Sequence, residues 1–181
     1  MIRAMLLHQG IGLAAFNGLP TRRAVHALYE CCNSVAMAVD LARGRPYTDR
    51  GELFRRADGL LFALSEESVD DIIAAYPRVG SRPGSTRSQA EPCAITDDRP
   101  GVMRQLTAAA IRYAGRFGFE FVMYVGQAHS CPATEVIAAI DERMHNDGET
   151  ERKIVRNEIA KLNRSRLERM LGPEGGFDNW T

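Results

Sequence analysis

The chain has 181 residues, which is long enough for one domain with a proper hydrophobic core. Lys plus Arg number 23 and Asp plus Glu number 23, so the formal net charge is zero and there is no electrostatic case for nucleic acid or an anionic membrane. No apolar run approaches the roughly 20 residues that span a bilayer, and Arg3 precedes only a broken apolar segment, which argues against a signal peptide. A cytoplasmic protein with neither nucleic-acid nor membrane partners is expected.

The cysteines and histidines do not form a metal-binding pattern. No CxxC occurs among Cys31, Cys32, Cys93 and Cys131, and no two histidines stand at metal-ligand spacing. The cysteines are interpreted as buried thiols in a reducing compartment. Cys93 has an alternative role in lining a pocket, because it adjoins a long polar loop.

The first half of the chain shows apolar residues at helical spacing. Thr21 is predicted to cap the first clear helix, and Ser65 begins another with acidic residues in its first turn. That helix ends near Tyr76, because Pro77 disfavours helical geometry in the preceding residue. The helices predicted here cover residues 22–32, 35–43, 50–63 and 65–76.

The second half begins with residues 80–100, which lack periodicity apart from a possible short helix at 88–94; a loop this long is usually functional or disordered. In the helix that follows, the helical pattern is carried by Met103, Leu106, Ala110, Ile111 and Tyr113. Residues 117–126 look like a strand in isolation, but no partner strand is evident. They are therefore interpreted as an extended segment threaded through helices. The helices predicted here cover residues 102–116, 132–147 and 149–171.

Two short polar stretches suggest a reaction centre. Residues 74–80 place the phenol of Tyr76 at a helix exit, and residues 88–92 add hydroxyl and carboxylate groups nearby. On the last helix, Arg166 lies at the border of the apolar stripe. It is either a solvated or salt-bridged arginine, or an inward anchor for a carboxylate or ureido group.

Eight short stretches between Phe16 and Leu171 match one family. Each stretch is weak evidence alone, and the match lies in their order and spacing together. They are FNGLP at 16–20, CCNS at 31–34, RPY at 45–47, YPRVG at 76–80, SQAE at 88–91, RFGFEFV at 116–122, RMHND at 143–147, and 158–161 with 166–167. The chain thereby resembles the OHCU decarboxylases (2-oxo-4-hydroxy-4-carboxy-5-ureidoimidazoline decarboxylases) of the urate-to-allantoin pathway. The resemblance implies an all-α, homodimeric, cofactor-free lyase that acts on a purine-derived small molecule.

The expected architecture is a single compact domain of about eight helices. Residues 1–15 would form an N-terminal extension with helical character, residues 16–171 the OHCU decarboxylase-like domain, and residues 172–181 a tail.

The resemblance also implies a site. Tyr76 and Glu91 would be catalytic, and backbone groups of residues 121–125 would bind a flat, amide-rich ring. No metal is implied. The implied substrate-binding residues are Pro77, Ser88, Pro92, Phe121, Val122, Met123, Tyr124, Val125 and Arg166.

The sequence departs from the family at several of these positions. Tyr76 stands where the family has its catalytic histidine, Pro92 replaces a glutamine, and Met37 replaces an aromatic residue. An alternative register of the loop would instead align Ser85 and Ser88 with the serine and the glutamate of the family pattern. The register with Glu91 is preferred because its spacing to Arg116 suits the family.

The tyrosine at position 76 leaves three hypotheses about the function. An ordinary phenol has a pKa of about 10, so it donates a hydrogen bond at neutral pH but is a poor base. The preferred hypothesis is an enzyme repurposed for a related oxidised-purine ring, with Tyr76 as proton donor and Glu91 as base or orienter. The alternatives are an authentic OHCU decarboxylase forming (S)-allantoin, and a non-catalytic binding protein on the same fold.

Overall fold

A computed structural model describes residues 10–79, 95, 99–126 and 131–172. The all-α prediction is confirmed: these residues form eight helices and no strand. The helices are α1 (Leu13–Gly18), α2 (Thr21–Cys32), α3 (Val35–Arg43), α4 (Arg50–Ala63), α5 (Glu66–Ala74), α6 (Pro100–Phe117), α7 (Ala133–Arg143) and α8 (Gly148–Leu171).

The chain divides into two compact units. Unit 1 contains the residues up to Ile72 together with those from Ala160 onward, and unit 2 is Ile73–Ile159. No helix in the described ranges is both long and apolar enough to cross a membrane.

Most predicted helix bounds are confirmed, and α3 and α4 match residue for residue. Thr21 was wrongly predicted as a cap, because Pro20 is the N-cap and Thr21 is already the first helical residue. Ile111, one of the residues of the apolar pattern in α6, is 66% exposed. The possible helix at 88–94 lies outside the described residues.

In unit 1, α2 packs against α3 through a tight reversal. Asn33 ends α2 in the left-handed conformation, with φ of 52°, and its N–H donates to the carbonyl of Tyr29. Ser34 then caps α3 by accepting a hydrogen bond from the Met37 N–H at 3.3 Å. The reversal brings the apolar faces of both helices into one core, which includes Leu28 and Met37.

A second joint in unit 1 ties the end of α1 to the turn before α4. The Asn17 side chain donates to the Tyr47 carbonyl at 2.9 Å and accepts from the Tyr47 N–H at 3.0 Å. Arg45 donates to the carbonyls of Phe16 and Leu19, at 2.9 and 2.7 Å. These bonds add partners for backbone groups at a helix end, where intrahelical partners run out; the Phe16 carbonyl also accepts from the Leu19 N–H at 3.2 Å.

The residues before α1 are fixed to the end of α8. The N–H groups of Ile11 and Gly12 donate to the last carbonyls of α8, at 3.0 and 2.8 Å. Gly172 makes this approach possible: its φ is +69°, and a Cβ there would lie 2.3 Å from the Cα of Gly10. Only glycine suits this position, both for its backbone angle and for its lack of a side chain.

Gly172→Ala is therefore expected to lower the free energy of unfolding by at least about 1–2 kcal/mol, from backbone strain and collision with Gly10. Gly59 in α4 provides the control, since a Cβ there meets nothing within 4 Å. Gly59→Ala should raise stability by roughly 0.5–1 kcal/mol, as expected for an exposed helix interior. Urea unfolding curves measure both changes. Equal effects of the two substitutions would contradict the assigned role of Gly172.

In unit 2, α6 packs against α7, and an aromatic cluster fills the space beside α6. Tyr113 is fully buried and contacts three phenylalanine rings at centroid distances of 4.8 to 6.0 Å. The rings belong to Phe117, at the end of α6, and to Phe119 and Phe121 beyond it. Edge-on ring contacts of this kind stabilise beyond the area they bury. The chain leaving α6 is thus anchored by its own side chains.

Candidate active site

Tyr76, the predicted catalytic residue, lies just beyond the C-terminal end of α5. Its N–H donates to the Ile73 carbonyl at 3.0 Å, which continues the helical turn for one more bond. Its side chain is half-buried, whereas the following Pro77 is exposed. The predicted helix exit at Pro77 is therefore confirmed.

An ion pair connects this exit to the irregular segment after α6. Arg78 Nε lies 3.1 Å from Glu120 Oε1, with the two side chains 76% and 30% exposed. The pair thus links the stretch that follows Tyr76 to the stretch that contains Phe121. Because it is largely solvated, it orients the two stretches and adds little stability. Two stretches predicted to form the site thus lie side by side in unit 2.

The segment itself, residues 119–125, is neither helix nor strand, as predicted. Phe121 and Val122 are buried, whereas residues 123–125 are half-buried. Irregular buried backbone requires hydrogen-bond partners from elsewhere in the fold. Side chains of α7 and α8 supply them.

Arg143, the last residue of α7, donates from Nη1 to the Val122 carbonyl at 2.8 Å. Its Nε donates to Oε1 of Glu151 at 2.7 Å, and Glu151 is completely buried. Glu151 also accepts hydrogen bonds from the hydroxyl of Tyr113 and from Nδ2 of Asn146. Burial, together with the bond to Glu151, raises the pKa of Tyr113, so the phenol remains a donor. The result is a buried charged network in which Arg143, Tyr113 and Asn146 donate hydrogen bonds to the Glu151 carboxylate.

Glu158 of α8 provides a second anchor. Its Oε2 accepts a hydrogen bond from the Tyr124 N–H at 2.6 Å. A carboxylate that accepts from a backbone N–H forms one of the stronger hydrogen bonds in proteins. Sequence reasoning missed Arg143, Glu151 and Glu158 as supports of the site. The available signal was that Arg143 and Glu158 fall within stretches matched to the family.

Arg166, in unit 1, is 7% exposed, which excludes the solvated alternative. Its Nη1 donates to the Cys31 carbonyl at 3.1 Å, near the end of α2. A planar guanidinium held in this way keeps a fixed orientation and suits planar anions.

Asn163, one helical turn before Arg166 on α8, is 2% exposed. Among the residues that the structure describes, neither its amide nitrogen nor its amide oxygen finds a hydrogen-bond partner. A buried polar group without a partner costs about 1–3 kcal/mol. From these contacts, Asn163 is expected to reduce the stability of unit 1.

Asn163→Leu, a change of similar volume, is expected to raise the free energy of unfolding by about 1–3 kcal/mol, because it removes a buried amide that has no partner among the described residues. The increase should appear as a higher urea midpoint with an unchanged slope. The matched control is Asn157→Leu on the exposed face of α8, where the same exchange removes no buried polar group. Destabilisation by Asn163→Leu would show that the amide has partners in the folded protein.

The remaining predicted site residues, Glu91, Ser88 and Pro92, lie outside the described residues, as do Ser85 and Cys93. The other three cysteines are buried, as expected, and no disulfide joins any two of them. Burial raises the pKa of the Cys32 thiol to about 11, although the charge of Arg166 opposes this. Burial also raises the pKa of Cys131. Neither thiol is therefore a ready nucleophile at neutral pH.

The helical fold is shared with two solved structures. One is a crystal structure of OHCU decarboxylase in the presence of (S)-allantoin, with 24% identity, a TM-score of 0.66, and coverage of 79% of this chain and 95% of that chain. The other is a crystal structure of (S)-allantoin synthase, with 14% identity, a TM-score of 0.70, and coverage of 89% and 54%. The chain thus spans just over half the length of the second protein.

The sequence profile of the OHCU decarboxylase family matches residues 17–168. The chain belongs to the OHCU decarboxylase family. Comparison with curated proteins finds no significant match.

Proposed function

We propose that the protein is a cofactor-independent decarboxylase acting on an oxidised-purine-derived imidazoline or ureide ring, repurposed from the usual family reaction. The family match over residues 17–168 carries the proposal. Tyr76 at the family's histidine position is the reason for expecting a changed substrate. Tyr76 and Glu91 are the proposed catalytic residues.

The chemistry requires no cofactor. The bond between the ring carbon and the carboxylate breaks, CO₂ leaves, and the electron pair is taken up by the conjugated ring. A proton then adds to one face of that carbon. Orientation, charge stabilisation and one proton donor supply the catalysis. In this proposal Tyr76 donates the proton and later regains one from water, while Glu91 acts as base or orients the substrate.

The other residues of the predicted site bind the substrate. Backbone groups of residues 121–125 bind the planar amide edge of the ring, and Arg166 binds an anionic or ureido group. Pro77, Ser88 and Pro92 complete the contacts. The protein is proposed to be a cytoplasmic homodimer, and light scattering of the full chain would test the dimer.

A second function is supported by the first structural neighbour. That protein is an OHCU decarboxylase studied with (S)-allantoin, and the present chain covers 95% of its length. This alternative is an authentic OHCU decarboxylase that forms (S)-allantoin in urate catabolism.

One experiment separates these functions. Freshly generated OHCU is mixed with the full-length protein, and CO₂ release and the enantiomeric excess of allantoin are followed. Rapid release with one enantiomer in excess supports the authentic enzyme. No acceleration on OHCU, together with turnover of a related imidazoline or ureide that depends on Glu91, supports the repurposed enzyme. Turnover of none of these compounds would indicate the non-catalytic binding protein.

A further inference from the structure

Two backbone groups of the irregular segment after α6 form hydrogen bonds to side chains of other elements, and one residue separates them. The Val122 carbonyl accepts from Arg143 at 2.8 Å, and the Tyr124 N–H donates to Glu158 at 2.6 Å. Both partners are charged side chains on helices. Met123 lies between the two held groups, and its own backbone forms no hydrogen bond with any described residue.

The two partners are themselves fixed. Glu151 holds Arg143, and the Arg143 guanidinium also lies over the Phe121 ring, 4.4 Å from its centroid. Glu158 projects from the middle of α8, the longest helix of the described chain. Rigid supports of this kind hold binding groups more precisely than a loop held by its own backbone.

We infer that Glu158 is a positioning residue. Its hydrogen bond to the Tyr124 N–H and the Arg143 bond to the Val122 carbonyl hold the chain on either side of Met123. Glu158 thereby fixes the position of the Met123 backbone groups that bind the amide edge of the ligand. The inference rests on the proposed function of residues 121–125. The ligand class is a planar ring with adjacent amide N–H and C=O groups. Glu158 acts through Tyr124 and does not contact the ligand.

The chemistry of the bond defines the test. Glu158→Met removes the acceptor at similar side-chain length, so the Tyr124 N–H loses its partner. Glu158→Gln keeps an oxygen that can accept the same bond and is the conservative rescue. Glu149→Met is the control, because Glu149 lies in the first turn of the same helix and is 81% exposed.

Affinity for (S)-allantoin, measured by calorimetry with the full chain, is the first measurement. Glu158→Met should weaken binding about tenfold, the effect of losing one charge-assisted hydrogen bond, with Glu158→Gln within about threefold of wild type. For a substrate that the protein turns over, Glu158→Met should raise KM by a similar factor and lower kcat by a smaller one. Amide hydrogen exchange at Tyr124 should accelerate in Glu158→Met and remain slow in Glu158→Gln.

The outcomes separate the two proposals. A Glu158→Met protein that is less stable but binds (S)-allantoin as tightly as wild type would overturn the positioning role alone. A wild-type protein that neither binds (S)-allantoin nor turns over any imidazoline or ureide would overturn the proposed function, and the positioning role with it. Loss of affinity in Glu149→Met equal to that in Glu158→Met would also overturn the positioning role.

Discussion

Tyr76→Phe is expected to lower the turnover number on the proposed purine-derived substrate by about 10²–10⁴-fold, the contribution expected of one general acid or base. The substitution removes only the phenolic oxygen, and the ring that fills the half-buried position beyond α5 remains. The thermal midpoint should therefore change little while catalysis is lost. Initial rates of CO₂ release, with melting curves of the same samples, measure both effects.

The matched control for this substitution is Tyr29→Phe. Tyr29 is 39% exposed on α2, and the same oxygen is removed there from a tyrosine with no proposed role in the reaction. Its rate should equal that of wild type. A Tyr76→Phe enzyme with an unchanged rate would exclude the phenol as proton donor. Tyr76→His is expected to gain activity on OHCU, since an imidazole with a pKa of about 6.5 can both accept and donate at neutral pH.

The helices could be predicted from sequence because their apolar residues recur at helical spacing and clear signals mark their ends. Pro77 ended α5 as expected, and the turn before α4 capped that helix through Asp49. Ile111 is exposed although it belongs to the apolar pattern of α6, because spacing identifies a stripe of apolar residues and does not show which edge of the stripe is covered. With the half-buried Met103 it lines a shallow surface depression on α6.

Several of the stretches that identified the family turn out to be structural joints. Asn17 and Tyr47 bind each other across two matched stretches, and Asn33 with Ser34 forms the reversal between α2 and α3. Such joints depend on particular side chains at particular backbone positions, so they retain a recognisable pattern. The stretches that identify the family therefore include residues with a structural role. This explains how the family can be recognised although residue 76 is a tyrosine.

The supports of the site could not be found from periodicity. On α8, Glu151 and Arg166 are buried although the helix reads as strongly charged. A buried carboxylate and a solvated one look alike in sequence, because burial depends on how other helices pack around it. The Glu151 carboxylate is bound by Arg143 at the end of α7 and by Tyr113 of α6, 38 residues away.

Arg143→Met should therefore lower the free energy of unfolding by about 3–5 kcal/mol, because it leaves the Glu151 carboxylate buried without its cation. The side chains of the pair are 11% and 0% exposed, so water cannot replace the lost partner. The substitution also removes the donor to the Val122 carbonyl. Chemical denaturation followed by circular dichroism measures the loss.

A double-mutant cycle separates the charge effect from lost packing. If the penalty comes from an unpaired buried charge, Arg143→Met combined with Glu151→Leu should cost less than the sum of the two single changes. Additive losses would mean that the pair is not coupled. Arg112→Met is the control, because the Arg112–Asp141 pair likewise joins two helices, α6 and α7, but both of its side chains are more than half exposed. Solvent screens that pair, so its loss should leave the unfolding curve nearly unchanged.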